Sequence, residues 1–351
     1  PLTDQQASPP PGLGSYKIAD VVPGMSFSLV KNPGWGKLGI QYVPAGHVDV
    51  NVRITGNAAG DARAVLDNSA DVFDWPDPIP AGLIAQIERR APLRYFRRTM
   101  QGTDLIFLNV AGTPFSSQLV REAVRAALDQ NTVVQLDSGM LRKGCYVLPP
   151  SLFGHPHDAC PDGNKAGDGN LALARALVKR SGLAGASVVV WSETGSPVRE
   201  WMSYYTSLLD QIGLKASLRA VPDRSYYSTI GNPHSHPQTG FGELDEDLPN
   251  PAGLYEQLIG QRASRTGSTN WGEIDDPYID TAVRSLAVVP AGTLGGVENF
   301  WRQLELRVAD RAYVAVLGYP TFPEFVSKRI DFRALIFSPV AGYDWSSFRL
   351  N

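Results

Sequence analysis

Several residue types and patterns that mark particular classes of protein are scarce or missing in this 351-residue chain. It has only 5 histidines and 2 cysteines, and its net charge is −3. Lys and Arg are scattered along the chain, so we expect no basic surface and no nucleic-acid partner. No run approaches the roughly 20 apolar residues of a membrane-spanning helix. The chain begins at Pro1 without an initiator methionine or a signal peptide, which is expected of a mature form or an excised piece.

Motifs of the common catalytic and nucleotide-binding sites are missing as well. The sequence contains no GxxxxGK[ST], no strand-linked GxGxxG, no GxSxG and no HExxH. An acidic group, Glu243, Asp245, Glu246 and Asp247, leaves three interpretations open: a carboxylate pair of the glycosidase type, a solvated face, or a binding role for at least one carboxylate. Catalysis is the least favoured of the three, and we expect neither an enzyme nor a cofactor.

The two cysteines, Cys145 and Cys160, close one short loop. An even number of cysteines in this arrangement favours a disulfide and therefore an oxidising compartment outside the cytoplasm. Two reduced cysteines are an alternative, and so is a metal site, because His155 and His157 lie inside the loop. Their spacing matches none of the usual zinc motifs, so we expect the disulfide and no metal.

Length and periodicity predict two domains of the α/β class. Residues 1–13 are rich in proline, glutamine and serine, which predicts a flexible linker. Residues 186–221 change from an apolar strand to an amphipathic helix and back to a strand, which predicts a parallel β-α-β unit. Residues 231–251 show almost no periodicity and predict a long irregular loop.

The most informative stretch runs from Asp104 to Asp129. It predicts a buried strand over 105–110, a turn at Pro114, and an amphipathic helix capped by Ser116 or Ser117. Its sequence resembles the N-x-x-x-x-P-F-x-D-x-x-V-R-x-A-(L/V)-x-x-A-(I/L)-D segment of the bacterial extracellular solute-binding proteins of family 5, the dipeptide, oligopeptide and nickel type of ABC importer receptor. The matching positions are Asn109, Pro114, Phe115, Val120, Arg121, Ala123, Val124, Ala127, Leu128 and Asp129.

Other segments resemble the same family in the same order. They are GLGSYKIADVVPGMSFSLVKNPGW at 12–35, ADVFDWP at 70–76, DLPNP at 247–251 and DPYIDTAV at 276–283. Two departures accompany the resemblance. Ser117 replaces an acidic residue of the first segment, and Leu244 replaces the Trp that peptide-binding members carry before the ligand-loop Asp.

The resemblance implies a two-lobe α/β fold of the periplasmic-binding-protein type II kind, with mixed sheets flanked by helices. Lobe I would comprise residues 14–107 and 321–351, and lobe II residues 108–320, with the strand at 105–110 crossing between them. Family members are longer, so the first lobe is expected to be incomplete. The chain would then be the C-terminal portion of a receptor or a naturally shortened one.

The resemblance also implies a function, that of the extracytoplasmic solute-binding component of an ABC importer. Its partners would be a small solute, such as a peptide, and a permease, and the protein would be a monomer held to the membrane only by a lipid anchor. Asp247 falls on the Asp that pairs with a peptide ammonium, with Asp245, Trp271 and Tyr255 as further ligand residues. The alternative is a regulatory or cell-envelope lipoprotein on the same scaffold.

Overall fold

The structure is a computed structural model. It describes residues 9, 12–35, 46–74, 79–157, 160–161, 167–248, 250–258, 266–289, 293 and 296–351. The linker expected at 1–13 therefore lies almost entirely outside the described residues. The chain forms two compact units, unit 1 with Pro1–Arg98 and Phe322–Asn351, and unit 2 with Thr99–Thr321. The lobe boundary expected at 107/108 falls inside unit 2.

Unit 1 combines small antiparallel sheets with helices. Its elements are β1 (Tyr16–Val22), β2 (Ser26–Lys31), β3 (Val50–Arg53), α1 (Ala58–Leu66), β4 (Val72–Phe73), α2 (Ala81–Arg90), β5 (Tyr95–Thr99), β12 (Phe337–Ser338) and β13 (Gly342–Tyr343). β1 and β2 pair antiparallel as a hairpin, and β3 adds to β2. The core forms where the apolar faces of the two helices meet, at Val65, Leu66, Ile84 and Ile87.

Unit 2 holds most of the regular structure. Its strands are β6 (Gly102–Leu108), β7 (Leu141–Arg142), β8 (Ser187–Glu193), β9 (Lys215–Val221), β10 (Thr239–Asp245) and β11 (Val314–Val326), of which β11 continues into unit 1. Its helices are α3 (Gln118–Ala127), α4 (Gln130–Leu136), α5 (Leu171–Ser181), α6 (Val198–Gln211), α7 (Asp223–Ile230), α8 (Ala252–Glu256), α9 (Pro277–Ala287) and α10 (Glu298–Asp310). Among the described helices, none has the length and apolar composition of a membrane crossing.

The sheet of unit 2 is mixed, with the order β11-β6-β10-β8-β9. β6 pairs antiparallel with both β10 and β11, whereas β8 pairs parallel with β9 and β10. The parallel β-α-β unit predicted from residues 186–221 is confirmed, and α6 buries Trp201, Tyr205 and Leu209. This layering of helices on a mixed sheet is the α/β arrangement that the sequence periodicity predicts.

One prediction about the sheet is wrong. The segment 231–251, expected to be an irregular loop, contains β10 at the centre of the sheet. Its periodicity is hidden because Gly240 and Gly242 occupy positions where neighbouring groups leave no room for a side chain. A Cβ on Gly240 would lie 2.5 Å from the carbonyl oxygen of Trp191, and one on Gly242 would lie 2.7 Å from the Trp271 ring.

The amphipathic helix predicted after Pro114 ends before the stretch 104–129 does. α3 stops at Ala127, and the Asp129 carboxylate accepts the N–H of Asn131 at 2.9 Å to begin α4. Ser117 holds the N-cap position of α3, but its side chain makes no capping hydrogen bond. The disulfide is confirmed, with Cys145 and Cys160 joined and their Cα atoms 5.7 Å apart.

Candidate functional site

The register of β6 against β10 brings acidic side chains together at one end of the sheet. Glu243 is the register partner of Asp104, and Asp245 is the partner of Gly102. Because side chains alternate between the faces of a strand, Asp104, Glu243 and Asp245 all lie on one face. Farther along that face Phe241 packs on Trp201 of α6, with ring centroids 5.9 Å apart. The acidic side chains therefore lie next to the apolar part of the same face.

Gly102 leaves the space that the side chain of Asp245 occupies. A Cβ at Gly102 would lie 2.3 Å from the Oδ1 atom of Asp245, so the Asp245 side chain extends across the position. Asp137, which directly follows the last residue of α4, adds a fourth carboxylate close enough to act on Asp104. We call Asp104, Asp137, Glu243 and Asp245 the carboxylate cluster.

The carboxylate cluster is short of positive charge. No ion pair of the described residues involves any of its members. Burial, followed by the charges of Glu243 and Asp137, holds the pKa of Asp104 well above its usual range. Burial also raises the pKa of Asp137 and of Glu243 to about 7, and for Glu243 the charges of Asp245 and Glu193 act in the same direction.

Asp247 lies just beyond β10, on a loop that a buried carboxylate holds in place. Glu246 is 6% exposed and accepts the backbone N–H of Leu248 at 3.0 Å and of Leu254 at 3.1 Å. The side-chain amide of Gln101, the residue before β6, donates to the carbonyl oxygen of Glu246 at 2.9 Å. These bonds turn Glu246 inward and leave Asp247 exposed to solvent. The order of the acidic residues therefore decides which of them can meet a ligand.

The two aromatic residues expected at the ligand site lie in the core. Trp271 is 6% exposed, and its ring packs on Gly242 between Phe107 and Tyr227. Tyr255 is fully buried on α8 and stacks on Trp301 of α10, with ring centroids 5.5 Å apart. The structure thus brings Asp245 to the carboxylate cluster, places Asp247 beside it, and sets the two aromatic rings beneath the surface.

Sequence reasoning did not single out Asp104 and Asp137 as site residues. The available signal for Asp104 was a carboxylate inside an otherwise apolar strand, where a charge is rare without a partner. Among the described residues, no group of three or more His, Cys, Asp or Glu side chains is arranged to hold a metal ion. His155, one of the two histidines of the metal alternative, instead contacts the carbonyl oxygen of Leu148 through Nδ1 at 2.6 Å.

The raised pKa values predict an unusual dependence of stability on pH. Glu243 has a pKa of about 7 in the folded protein and an ordinary value of 4.5 when solvated, so the folded state binds its proton more tightly. This contribution is fully present below the ordinary value and is lost as the pH rises through about 7. We expect the urea midpoint to fall between about pH 5 and about pH 8.

The variant Glu243→Gln should reduce this slope, because the amide does not titrate. Part of the Glu243 side chain reaches solvent, and solvent screening of its charge limits the size of this change in slope. Glu298→Gln, at an exposed position on α10, is the matched control and should keep the wild-type slope. Equal slopes for wild type and Glu243→Gln would show that Glu243 does not titrate in this range.

Comparison with known proteins gives the family and the fold. Residues 2–260 match the sequence profile described as bacterial extracellular solute-binding proteins, family 5 Middle. The glutathione-binding protein GsiB of Escherichia coli (strain K12) is 26% identical over 221 residues, covering 60% of this chain and 40% of GsiB. The matched part of the chain therefore spans less than half the length of this relative.

Two solved structures resemble the chain over nearly its whole length. Clavulanic acid biosynthesis oligopeptide binding protein 2 aligns with a TM-score of 0.83 at 20% identity, covering 99% of this chain and 64% of that protein. HbpA2 from Haemophilus parasuis aligns with a TM-score of 0.77 at 16% identity, covering 96% of this chain and 64% of that protein. These likenesses show the α/β fold of type II periplasmic binding proteins, as the sequence resemblance implied. Because the profile match covers most of the chain, this protein belongs to the bacterial extracellular solute-binding proteins of family 5.

Proposed function

We propose that this protein is the extracytoplasmic solute-binding component of an ABC importer and binds a small solute, a peptide or a similar compound, without making or breaking a covalent bond. The observation that carries the proposal is the exposed Asp247 beside a carboxylate cluster that has no ion-pair partner within the described part of the chain. In a family of solute receptors, such a surface suits the ammonium group of a ligand.

The relatives support a peptide-like solute. One of them is named as a glutathione-binding protein and another as an oligopeptide binding protein. A third, DppA from Helicobacter pylori, was solved in complex with the peptide STSA, and it aligns with a TM-score of 0.72 at 16% identity over 97% of this chain and 63% of that protein. An ABC permease is then the second partner. Lipid anchoring and a monomeric state remain predictions from the family resemblance.

Within this proposal the carboxylate of Asp247 accepts hydrogen bonds from the ammonium group of the solute, and Asp245 adds negative charge next to Asp247. Trp271 and Tyr255 act indirectly. Trp271 supports β10 at Gly242, and Tyr255 lies on α8, where the backbone N–H of Leu254 donates to Glu246 of the loop that carries Asp247. A carboxylate that gains an ammonium partner forms a charge-assisted hydrogen bond, which is stronger than one between neutral groups.

We expect Asp247→Asn to weaken the binding of peptides with a free amino terminus by about tenfold or more, since a hydrogen bond to a charged group contributes about 1.5–3 kcal/mol. Native mass spectrometry and thermal shift with a library of di- and tripeptides, including glutathione, would first identify ligands. Titration calorimetry would then compare each ligand with its N-acetylated form, which should bind wild type and Asp247→Asn alike.

Glu298→Gln serves again as the matched control, because it removes an exposed carboxylate on α10. An unchanged affinity of free-amino peptides for Asp247→Asn would contradict the role of Asp247. A library in which no compound binds the protein would count against the solute-binding function itself.

A further inference from the structure

Asp104 carries a carboxyl group that the described fold leaves without a partner. The residue is only 6% exposed, and its side chain takes part in no hydrogen bond or ion pair. Burying a polar group without a hydrogen bond costs free energy, and burying a charge without a partner costs more. Asp104 supplies none of the fully buried atoms that lack a hydrogen bond among the described residues, so its carboxyl oxygens keep some contact with solvent and are open to a ligand.

The charged groups of the described residues that act on Asp104 are all acidic. Glu243 lies opposite it across the strand pair, and its other register partner, Gly318, contributes no side chain. Asp137 is 9% exposed, and its carboxyl group likewise has no hydrogen bond. The hydroxyl of Tyr227, which is subject to the charges of Glu243, Glu193 and Asp104, is buried without a hydrogen-bond partner. Two nearly buried carboxyl groups thus lie beside an exposed one.

Such a set of acceptors is complementary to a cationic group that brings its own donors. A guanidinium ion is planar, carries five N–H donors and is weakly hydrated, so it can pair with several carboxylates in a partly buried place. A bare metal ion is a poorer fit, because the described acidic residues form no metal-binding arrangement. An ammonium ion offers three donors at a single point and is more strongly hydrated.

We propose that Asp104, Asp137 and Glu243 form a subsite for a guanidinium group of the bound solute, separate from the ammonium partner Asp247, so that the solute class is arginine-like or arginine-containing compounds. This inference rests on the proposed solute-binding function and specifies its ligand. Glu243 is the exposed member through which the group enters, and Asp104 and Asp137 are the acceptors beneath it.

The same residues would have a different meaning if they only shared protons to hold the fold together. Protonated carboxyl groups used for packing donate hydrogen bonds to one another or to carbonyl groups. None of the described hydrogen bonds joins the carboxyl groups of Asp104, Asp137 and Glu243. A packing role therefore lacks the contacts it requires, and it predicts no preference for a cationic ligand.

The test compares L-arginine amide with L-citrulline amide, which has the same shape and the same α-ammonium group but a neutral ureido group. Titration calorimetry with the 351-residue chain should show that arginine amide binds about tenfold or more tightly. Asp104→Asn and Glu243→Gln should each remove most of this preference. Asp275→Asn, at an exposed acidic position in the same unit, is the matched control and should keep it.

A second readout is the proton balance of binding. The groups that act on Asp104 are Glu243 and Asp245 of β10, Asp137 of α4 and Glu193 of β8, and all are acidic. A guanidinium ion would displace protons from these groups, so calorimetry near pH 7 in buffers of different ionisation enthalpy should detect proton release with arginine amide only.

Equal binding of the two amides would overturn the subsite and leave the solute-binding function standing. A preference that survives in both Asp104→Asn and Glu243→Gln would also overturn it, as would the failure of both amides to bind. The peptide library described above decides the solute-binding function independently. Urea unfolding of each variant would confirm that a lost preference reflects the missing acceptor and not a lost fold.

Discussion

Glu305→Ala should lower the free energy of unfolding by about 4 kcal/mol, because it leaves buried donors without an acceptor and opens a cavity. Glu305 is fully buried on α10. Its carboxylate accepts the backbone N–H of Val147 at 2.7 Å and that of Leu148 at 3.1 Å, and it also accepts the hydroxyl of Tyr255. One side chain thus holds both the loop that starts at Cys145 and α8, the helix that carries Tyr255.

Urea unfolding followed by tryptophan fluorescence would measure this loss. Glu305→Gln keeps the size and one acceptor oxygen, so its cost should be smaller, about 2 kcal/mol. Glu298→Ala, on an exposed position of the same helix, should change the stability by no more than about 0.5 kcal/mol. A Glu305→Ala variant as stable as Glu298→Ala would mean that water replaces the carboxylate at no cost.

Those elements whose sequence repeats with a clear period could be predicted. The apolar strand at 186–191 and the apolar face of α6 specify a β-α-β unit locally, and the structure contains it. The disulfide could also be predicted, because only one pairing is possible for two cysteines. The family could be identified from the stretch 104–129, since the spacing of its residues reflects one strand-turn-helix unit.

The carboxylate cluster could not be predicted, because it depends on the register between β6 and β10 and not on a local sequence pattern. Asp104 and Glu243 are far apart in the sequence and meet only because β10 pairs with β6. β10 itself was missed, since Gly240 and Gly242 remove the alternation that marks a strand. The two glycines are explained only by the folded structure, in which the carbonyl group of Trp191 lies against Gly240 and the ring of Trp271 lies against Gly242.

Arg121 shows how a residue of the family segment serves the fold. It lies on α3 and is only 5% exposed. Its Nη1 atom donates to the carbonyl oxygen of Phe115 at 2.7 Å, and its Nη2 atom donates to that of Arg311 at 2.9 Å. Its guanidinium group also lies over the ring of Tyr313, 5.6 Å from the centroid. The cation therefore joins two chain segments through carbonyl groups and not through a carboxylate.

We expect Arg121→Ala to lower the free energy of unfolding by about 3 kcal/mol, since the carbonyl groups of Phe115 and Arg311 lose charged donors in a buried place. Arg121→Lys should recover only part of this, because an ammonium group cannot donate in two fixed directions. Urea unfolding would measure both, with Arg199→Ala at an exposed position of α6 as the control. If Arg121→Lys matched the wild type, one charged donor would suffice, and the planar geometry of the guanidinium group would not explain why arginine occupies this position.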